Sequence, residues 1–331
     1  DESEVAEGKI HVYNENNFLN LNEFDVTWSL LEDGKVIGSG TVEDTNIAGR
    51  ENGTITVPYA AAMPENRKEG AEYYLNLSVS LKENTLWAEA GHEVAYEQFK
   101  VPGGVRKVAK TVNTNVTVDD SKSEALIVSG EDFSFKIDRA TGAIRDYTWK
   151  NEVLMTEGPV PNYWRAQTNN DVNEGGYDRG WMDVRVTGAS KIEKRKNEKG
   201  QTEIAVTLNS NNENLRQQMI YTVDGSGAVT VKASVDASQN TGLTGFIRIG
   251  TVMKLPAGYE NVTWYGNGPV EAMWDREDFA RAGIYNTTVS EMFYPYLDTQ
   301  DTGTMTGVKC FTVTGQGKKG AMAIASVDGV E

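Results

Sequence analysis

The sequence predicts an all-β protein built from two sandwiches in tandem. Three observations carry this: apolar and polar residues alternate with a period of two, turn dipeptides separate the runs, and helix signals are scarce. Phe24-Asp25-Val26-Thr27-Trp28-Ser29-Leu30 alternates cleanly and soon meets Asp33-Gly34, a tight-hairpin dipeptide. His11-Val12-Tyr13 opens the first run, and residues 54–57, 73–80 and 94–99 keep the same period. Roughly seven short strands over about the first 100 residues fit an immunoglobulin-like sandwich. It is assigned to residues 1–104 and ends at Pro102-Gly103-Gly104, with Trp28 as its buried tryptophan.

Residues 105–126 are rich in Thr, Asn, Asp and Ser and read as a linker. Strands resume at 133–138, turn at Thr141-Gly142 and return through 144–149. Further runs lie at 202–208 and 218–223, and Asp224-Gly225-Ser226-Gly227 turns the chain into 229–235. So many long strands in one unit predict a large antiparallel sandwich over residues 127–331, not a second immunoglobulin-like domain. Residues 320–327 read as one more strand and Glu331 follows closely, so this sandwich is expected to be incomplete, truncated at its C-terminus.

The chain has 331 residues, 39% hydrophobic and 24% charged, which fits an ordered protein of two or three domains. Its 48 acidic and 32 basic residues leave a net charge of -16, which argues against nucleic acid or an anionic membrane surface as partner. No apolar run approaches the roughly 20 residues that span a bilayer. Cys310 is the single cysteine, so no internal disulfide forms and the compartment stays open between bacterial cytoplasm and periplasm. Cys310 lies in the alternating run 308–313 and is expected in the core.

Histidine-based nucleophilic catalysis has little to work with, because only His11 and His92 are present and no G-x-S-x-G elbow occurs. Two histidines and one cysteine exclude the familiar zinc spacings. Trp264-Tyr265-Gly266-Asn267-Gly268-Pro269 lacks the third glycine of a phosphate loop and reads as a tight bend. Paired carboxylates for glycoside hydrolysis cannot be picked out among 48 acidic residues, and Asp275, Glu277 and Asp278 read as a solvated loop. Seven Trp and 14 Tyr suit either core filling or stacking on sugar rings.

The stretch WRAQTNNDVNEGG, residues 164–176, is the most polar of the chemistry-bearing segments. Threaded as a calcium loop from Asp171, it places Gly175 fifth and Met182 twelfth; threaded from Asn169, it places Glu174 on the glycine position and Gly180 last. Neither register supplies the closing bidentate carboxylate, so no metal is assigned. A sugar-facing loop and a self-bonded polar turn both stay open.

Three segments together resemble one family. Residues 86–99, LWAEAGHEVAYEQF, are similar to the "pWa..GHevA.eQf" segment that ends the second immunoglobulin-like domain of long glycoside hydrolase family 2 β-galactosidases. WRAQTNNDVNEG resembles their "WRAPTDNDxG", and residues 264–276, WYGNGPVEAMWDR, resemble "WyGrGPxENYxDR". Tyr294-Pro295-Tyr296 with Gln300-Asp301-Thr302-Gly303, and residues 135–142, FKIDRATG, match further family segments in family order.

The resemblance implies the last two of five domains: an immunoglobulin-like domain, then a galactose-mutarotase-like small-chain β-supersandwich. The family's jelly-roll, first immunoglobulin-like domain and catalytic TIM barrel would be the partners, in an enzyme that can be a homo-oligomer. The acid/base and nucleophile glutamates sit on that barrel, as do the family's Mg and Na, so this chain is expected to hold no catalytic residue, metal or cofactor and to hydrolyse nothing alone. Its implied role is to help shape the pocket of a retaining enzyme for β-galactosides. Trp164, Arg165, Asn169, Asn170, Asp171 and Glu174 would form a pocket-side loop, and Trp264, Glu271 and Arg276 would face sugar. Gln167 stands where the family has proline, Asn169 where it has aspartate, and Ala272-Met273 where it has Asn-Tyr. These departures imply a different loop partner or a substrate other than a plain β-galactoside. A free-standing carbohydrate-binding or adhesin-like β protein, and a structural spacer at oligomer contacts, are the rival expectations.

Overall fold

The computed structural model describes residues 2–102, 113–174, 179–239, 242–318 and 320–325. The architecture is all-β, with every strand pairing antiparallel. In the first unit a four-stranded sheet runs in the order Lys35–Thr41, Phe24–Glu32, Tyr73–Leu81, Glu93–Val101. It faces a two-stranded sheet of Lys9–Tyr13 and Asn52–Thr56. Among the described residues six strands stand where about seven were expected. Alternation decides what is buried: Val26, Trp28 and Leu30 point inward from one strand, Leu75 and Leu77 from the next, and Ile10 and Ile55 meet them from the other sheet. Asp33 and Gly34 both take positive φ, 48° and 78°, the twist a two-residue hairpin needs to bring Glu32 opposite Lys35.

The second unit is larger. Six strands run in the order Gly250–Lys254, Glu152–Asn162, Ile144–Trp149, Phe133–Asp138, Ala125–Ser129, Thr117–Asp119. That last strand falls inside the stretch read as a linker; residues 103–112 of the same stretch lie outside the described residues. A four-stranded sheet, Val186–Lys196, Thr202–Ser210, Arg216–Val223 and Val229–Asp236, packs on the six. Their shared core joins Val128, Phe135, Ile137 and Ile144 to Ile204, Val206, Met219 and Tyr221. A third sheet, Arg281–Thr288, Tyr259–Gly268, Cys310–Gly315 and Ala321–Ala325, shares a smaller core of Leu154, Tyr259 and Val313 with the first.

Two sequence expectations fail in this third sheet. Cys310 is exposed, because Val313 takes the inward position of its strand. The glycines of Trp264–Gly268 do not bend the chain but continue an extended strand, where a Cβ on Gly268 would lie 2.5 Å from the Tyr285 ring.

The two units are stitched along the edge strand Glu93–Val101. Gln98 pairs with the Ala282 backbone as a strand would: its amide nitrogen donates to the Ala282 carbonyl at 3.0 Å and its oxygen accepts the Ala282 N–H at 2.7 Å. Arg281 meets Glu93 with both guanidinium nitrogens at 3.2 Å and lies 4.1 Å over the Tyr96 ring. Tyr265 donates to Glu72 at 3.1 Å, and burial, helped by that carboxylate, pushes the phenol's pKa up. Replacing Gln98 with Ala leaves two half-buried backbone groups unpaired, a cost of about 1–3 kcal/mol. Calorimetry of Gln98→Ala is expected to show the first unit melting earlier and apart from the second; one unchanged transition would refute this role for the junction.

Candidate functional site

The segment 164–174 is built on an aromatic floor. Trp181 stacks on Phe246 at 3.9 Å between ring centres, Tyr163 tilts against both, and Trp164 packs on this cluster. Burial pushes the Tyr163 phenol up to about 12, so it stays protonated and donates to Gln217 at 2.6 Å. Asn162 then clamps the first residue of the segment from both sides, its carboxamide accepting from the Trp164 N–H and donating to the Trp164 carbonyl, each at 3.0 Å.

From that anchor the chain turns around one carboxylate. Asp171 accepts from Arg165 Nη1 at 2.6 Å and Nη2 at 3.2 Å, from the Thr168 N–H at 2.7 Å and from the Thr168 hydroxyl at 3.0 Å. The Thr168 hydroxyl accepts the Asp171 N–H at 3.4 Å, the reciprocal pattern of a capping box. A short helix, Asn169–Glu174, therefore stands where the sequence read as a loop, and Thr-x-x-Asp was the missed signal. The pair is nearly dry, with 11% of the Arg165 side chain and 6% of the Asp171 side chain exposed. Burial raises the pKa of Asp171, but the bonds from Arg165 and Thr168 outweigh it and hold the carboxyl below its ordinary range. The Glu174 side chain, Gly175 and Gly176 lie outside the described residues.

The helix start meets two other segments across a groove. Asn170 donates to Asp275 at 2.7 Å. Asp275 is exposed, in the solvated loop expected of it, on a turn closed by the Arg276 N–H on the Met273 carbonyl at 2.7 Å. Arg276 donates to Glu271 at 2.6 Å and to the Tyr296 oxygen at 3.2 Å, and Tyr296 itself donates to Glu271 at 2.6 Å. The Gly303 N–H completes the knot on the second Glu271 oxygen. Burial raises the Glu271 pKa, yet Tyr296, Gly303 and Arg276 together bring it below the usual carboxylate range. Thr168, Asn169, Asn170, Glu271, Arg276 and Tyr296 line this groove, together with Met273, Asp275, Gln300 and Asp301.

Of the residues expected from the sequence, Asn169, Asn170, Glu271 and Arg276 thus come together, with Arg165 and Asp171 holding the helix start from behind. Trp264 does not join them. It is 2% exposed, packs on Tyr285 and donates its indole N–H to the Asn267 carbonyl, because its place in the strand points it into the third sheet. Trp164 serves the aromatic floor. Tyr296, Gln300 and Asp301 were missed as site residues, although their segment carried the family resemblance. Among the described residues no group of three or more His, Cys, Asp or Glu side chains is placed to hold a metal. The groove fits one poorly: Arg276 occupies Glu271, Arg248 lies 3.1 Å from Asp301, and Asn170 is on Asp275.

The Arg165–Asp171 pair predicts a pH-dependent stability. Asp171→Asn strands a buried guanidinium and is expected to cost about 3–5 kcal/mol in chemical denaturation at neutral pH. Because the folded carboxyl titrates below its unfolded value, the pair's contribution is present above about pH 4 and lost as pH falls through the folded value. The gap between wild type and variant should therefore close on acidification, and a gap independent of pH would refute the charge pairing.

Residues 129–328 match the family model described as β-galactosidase small chain, and residues 10–102 match that of β-galactosidase domain 4. A β-galactosidase of Priestia megaterium is 30% identical over 319 residues, covering 95% of this chain and 30% of that protein. One from Halalkalibacterium halodurans is 26% identical over 320 residues, and one from Clostridium acetobutylicum is 28% identical over 300. The chain spans about 30% of the length of these curated relatives. Matched by the small-chain model over more than half its length, and by the domain 4 model ahead of it, the chain belongs to the β-galactosidase small-chain family.

Proposed function

We propose that this chain is the accessory C-terminal region of a retaining family 2 β-galactosidase, whose groove completes a substrate pocket built mainly by a catalytic barrel. The observation that supports this most directly is convergence. Three segments more than 100 residues apart at their extremes, WRAQTNND, EAMWDR and the Tyr294–Asp301 stretch, meet in one polar groove. Amide and carboxylate groups at its surface suit hydroxyls rather than a charged substrate.

Catalysis belongs elsewhere in this reading. Glycoside hydrolysis needs a carboxylic acid whose pKa is raised so that it can protonate the leaving oxygen. Glu271 and Asp171, the most enclosed acids of the site, are both held ionised, the opposite condition. The jelly-roll, the first immunoglobulin-like domain and the barrel of the longer enzyme are the partners this reading requires, and the domain carrying residues 10–102 holds the groove at a fixed place relative to them.

Purified alone, the chain is expected to release no nitrophenol from a nitrophenyl β-galactoside; stoichiometric turnover would overturn the proposal. In the longer enzyme, Asn169→Ala removes one neutral hydrogen bond worth about 0.5–1.5 kcal/mol and should lower kcat/KM about 2–12-fold. Unchanged kinetics in that variant would separate the groove from the substrate.

A further inference from the structure

We propose that one end of the first sandwich is a docking surface, and that its occupant is the catalytic body of the longer enzyme, seated on Phe18, Leu19, Leu86 and Trp87. The inference rests on the reading above that such a body exists, and goes beyond it in naming where the first unit meets that body and with what chemistry. Phe18 and Leu19 stand in the stretch between the strands Lys9–Tyr13 and Phe24–Glu32, and Leu86 and Trp87 in the loop between Tyr73–Leu81 and Glu93–Val101. Both emerge at the same end, because Phe24 lies opposite Leu81 in the sheet and Lys82 donates to the Asn22 carbonyl at 2.7 Å. There Phe18 is 94% exposed and Trp87 66%, and Leu86 is fully in water.

Large apolar side chains in water are ordinary when scattered; four at one end, on loops built to hold them, mark an interface. Buried Asn14 spends its whole carboxamide on the first loop. Its nitrogen donates to the Leu19 and Ile47 carbonyls, each at 2.9 Å, and its oxygen accepts the Asn16 N–H at 3.1 Å and the Asn16 side-chain amide at 2.9 Å. Arg50 adds two bonds to the Asn17 side chain. In the second loop the Asn84 side-chain oxygen accepts the Ala90 N–H at 2.8 Å, and the Thr85 N–H donates to the Ala88 carbonyl at 2.8 Å. The His92 ring meets Trp87 edge-on, 5.3 Å between centres. Loops tied this way lose little freedom when something settles on the side chains they carry, and aromatic anchors supply much of the energy of such contacts.

The occupant follows from what lies beside this end. Glu93 comes directly after the second loop and holds Arg281, and Tyr96 donates to the Phe279 carbonyl at 2.7 Å. Residues 279–281 continue from the groove wall 271–276, so the apolar end and the groove lie on one short, tied path. A body that covers the groove is thereby brought to this end as well. The chain spans about 30% of the length of its curated relatives, which leaves that body ample size to cover both. Charge narrows the chemistry. Glu15, Glu83 and Glu89 belong to the same two loops, are exposed, and pair with no described residue. An apolar hollow edged by Lys or Arg complements that surface, whereas a second copy of this chain, with its net charge of -16, brings like charge to like.

Hydroxyl-radical footprinting read by mass spectrometry tests this on the 331-residue chain and on the longer enzyme, without mutation. Phe18, Leu86 and Trp87 are expected to oxidise readily in the chain alone and to lose most of that reactivity in the longer enzyme. Val36, exposed at the opposite end of the sandwich, should react equally in both. In the longer enzyme Phe18→Asp combined with Leu86→Asp should lower the temperature of half-inactivation. In the chain alone the same pair should leave the melting temperature unchanged, because both positions are in water there. Equal oxidation of Phe18, Leu86 and Trp87 in the two forms would overturn the surface. So would protection in the chain alone that fades on dilution, since the occupant would then be a second copy. Either failure leaves the groove's role standing, because that role is read from kcat/KM of Asn169→Ala.

Discussion

The site depends on one constraint: a carboxylate taken out of water must have its oxygens satisfied. Asp171 meets this with Arg165 and both donors of Thr168, and in doing so folds residues 165–171 into a turn and the first turn of a helix. Its geometry leaves Asn169 and Asn170 facing away from the pair, into the groove. The glutamine at 167 and the asparagine at 169 can differ from the family pattern because neither supplies this bond; the arginine, threonine and second acid do.

The same logic recurs on the far wall. Glu271 collects Arg276, Tyr296 and the Gly303 backbone, and so ties the turn 271–276 to the stretch 296–303 through one mostly enclosed carboxylate. The Asn170–Asp275 bond then joins the two knots across the groove. Both acids are spent on shape, each held ionised by the donors it collects. Behind these knots, the Trp181–Phe246–Tyr163 floor and the Gln98–Ala282 junction hold the segments to the two β units.

Much of the fold could be read from the sequence because strand burial has a period of two and hairpins name their own turns: Trp28, Leu75 and Asp33-Gly34 are where alternation and turn chemistry put them. What escaped was set by pairing across distance. Trp264 sits beside glycines that looked like a bend, and only its register with Tyr285 and Phe311 shows that it faces inward. Cys310 obeys its strand's alternation but on the outward phase, which no local pattern reveals. Asn169, Asn170, Glu271 and Arg276 were found by resemblance rather than by chemistry, since one acid among 48 carries no mark until its partners are seen. Thr168 is the exception, because Thr-x-x-Asp is a capping signal written locally in the sequence.

The central claim is that this groove faces the substrate of the longer enzyme. Hydrogen–deuterium exchange of that enzyme, with and without a galactose-based inhibitor, addresses it without mutation. Backbone amides of residues 165–171 and 271–276 should gain protection when the inhibitor binds, while those of the strand Phe24–Glu32 should not change. Saturating inhibitor with no added protection in either groove segment would contradict the account.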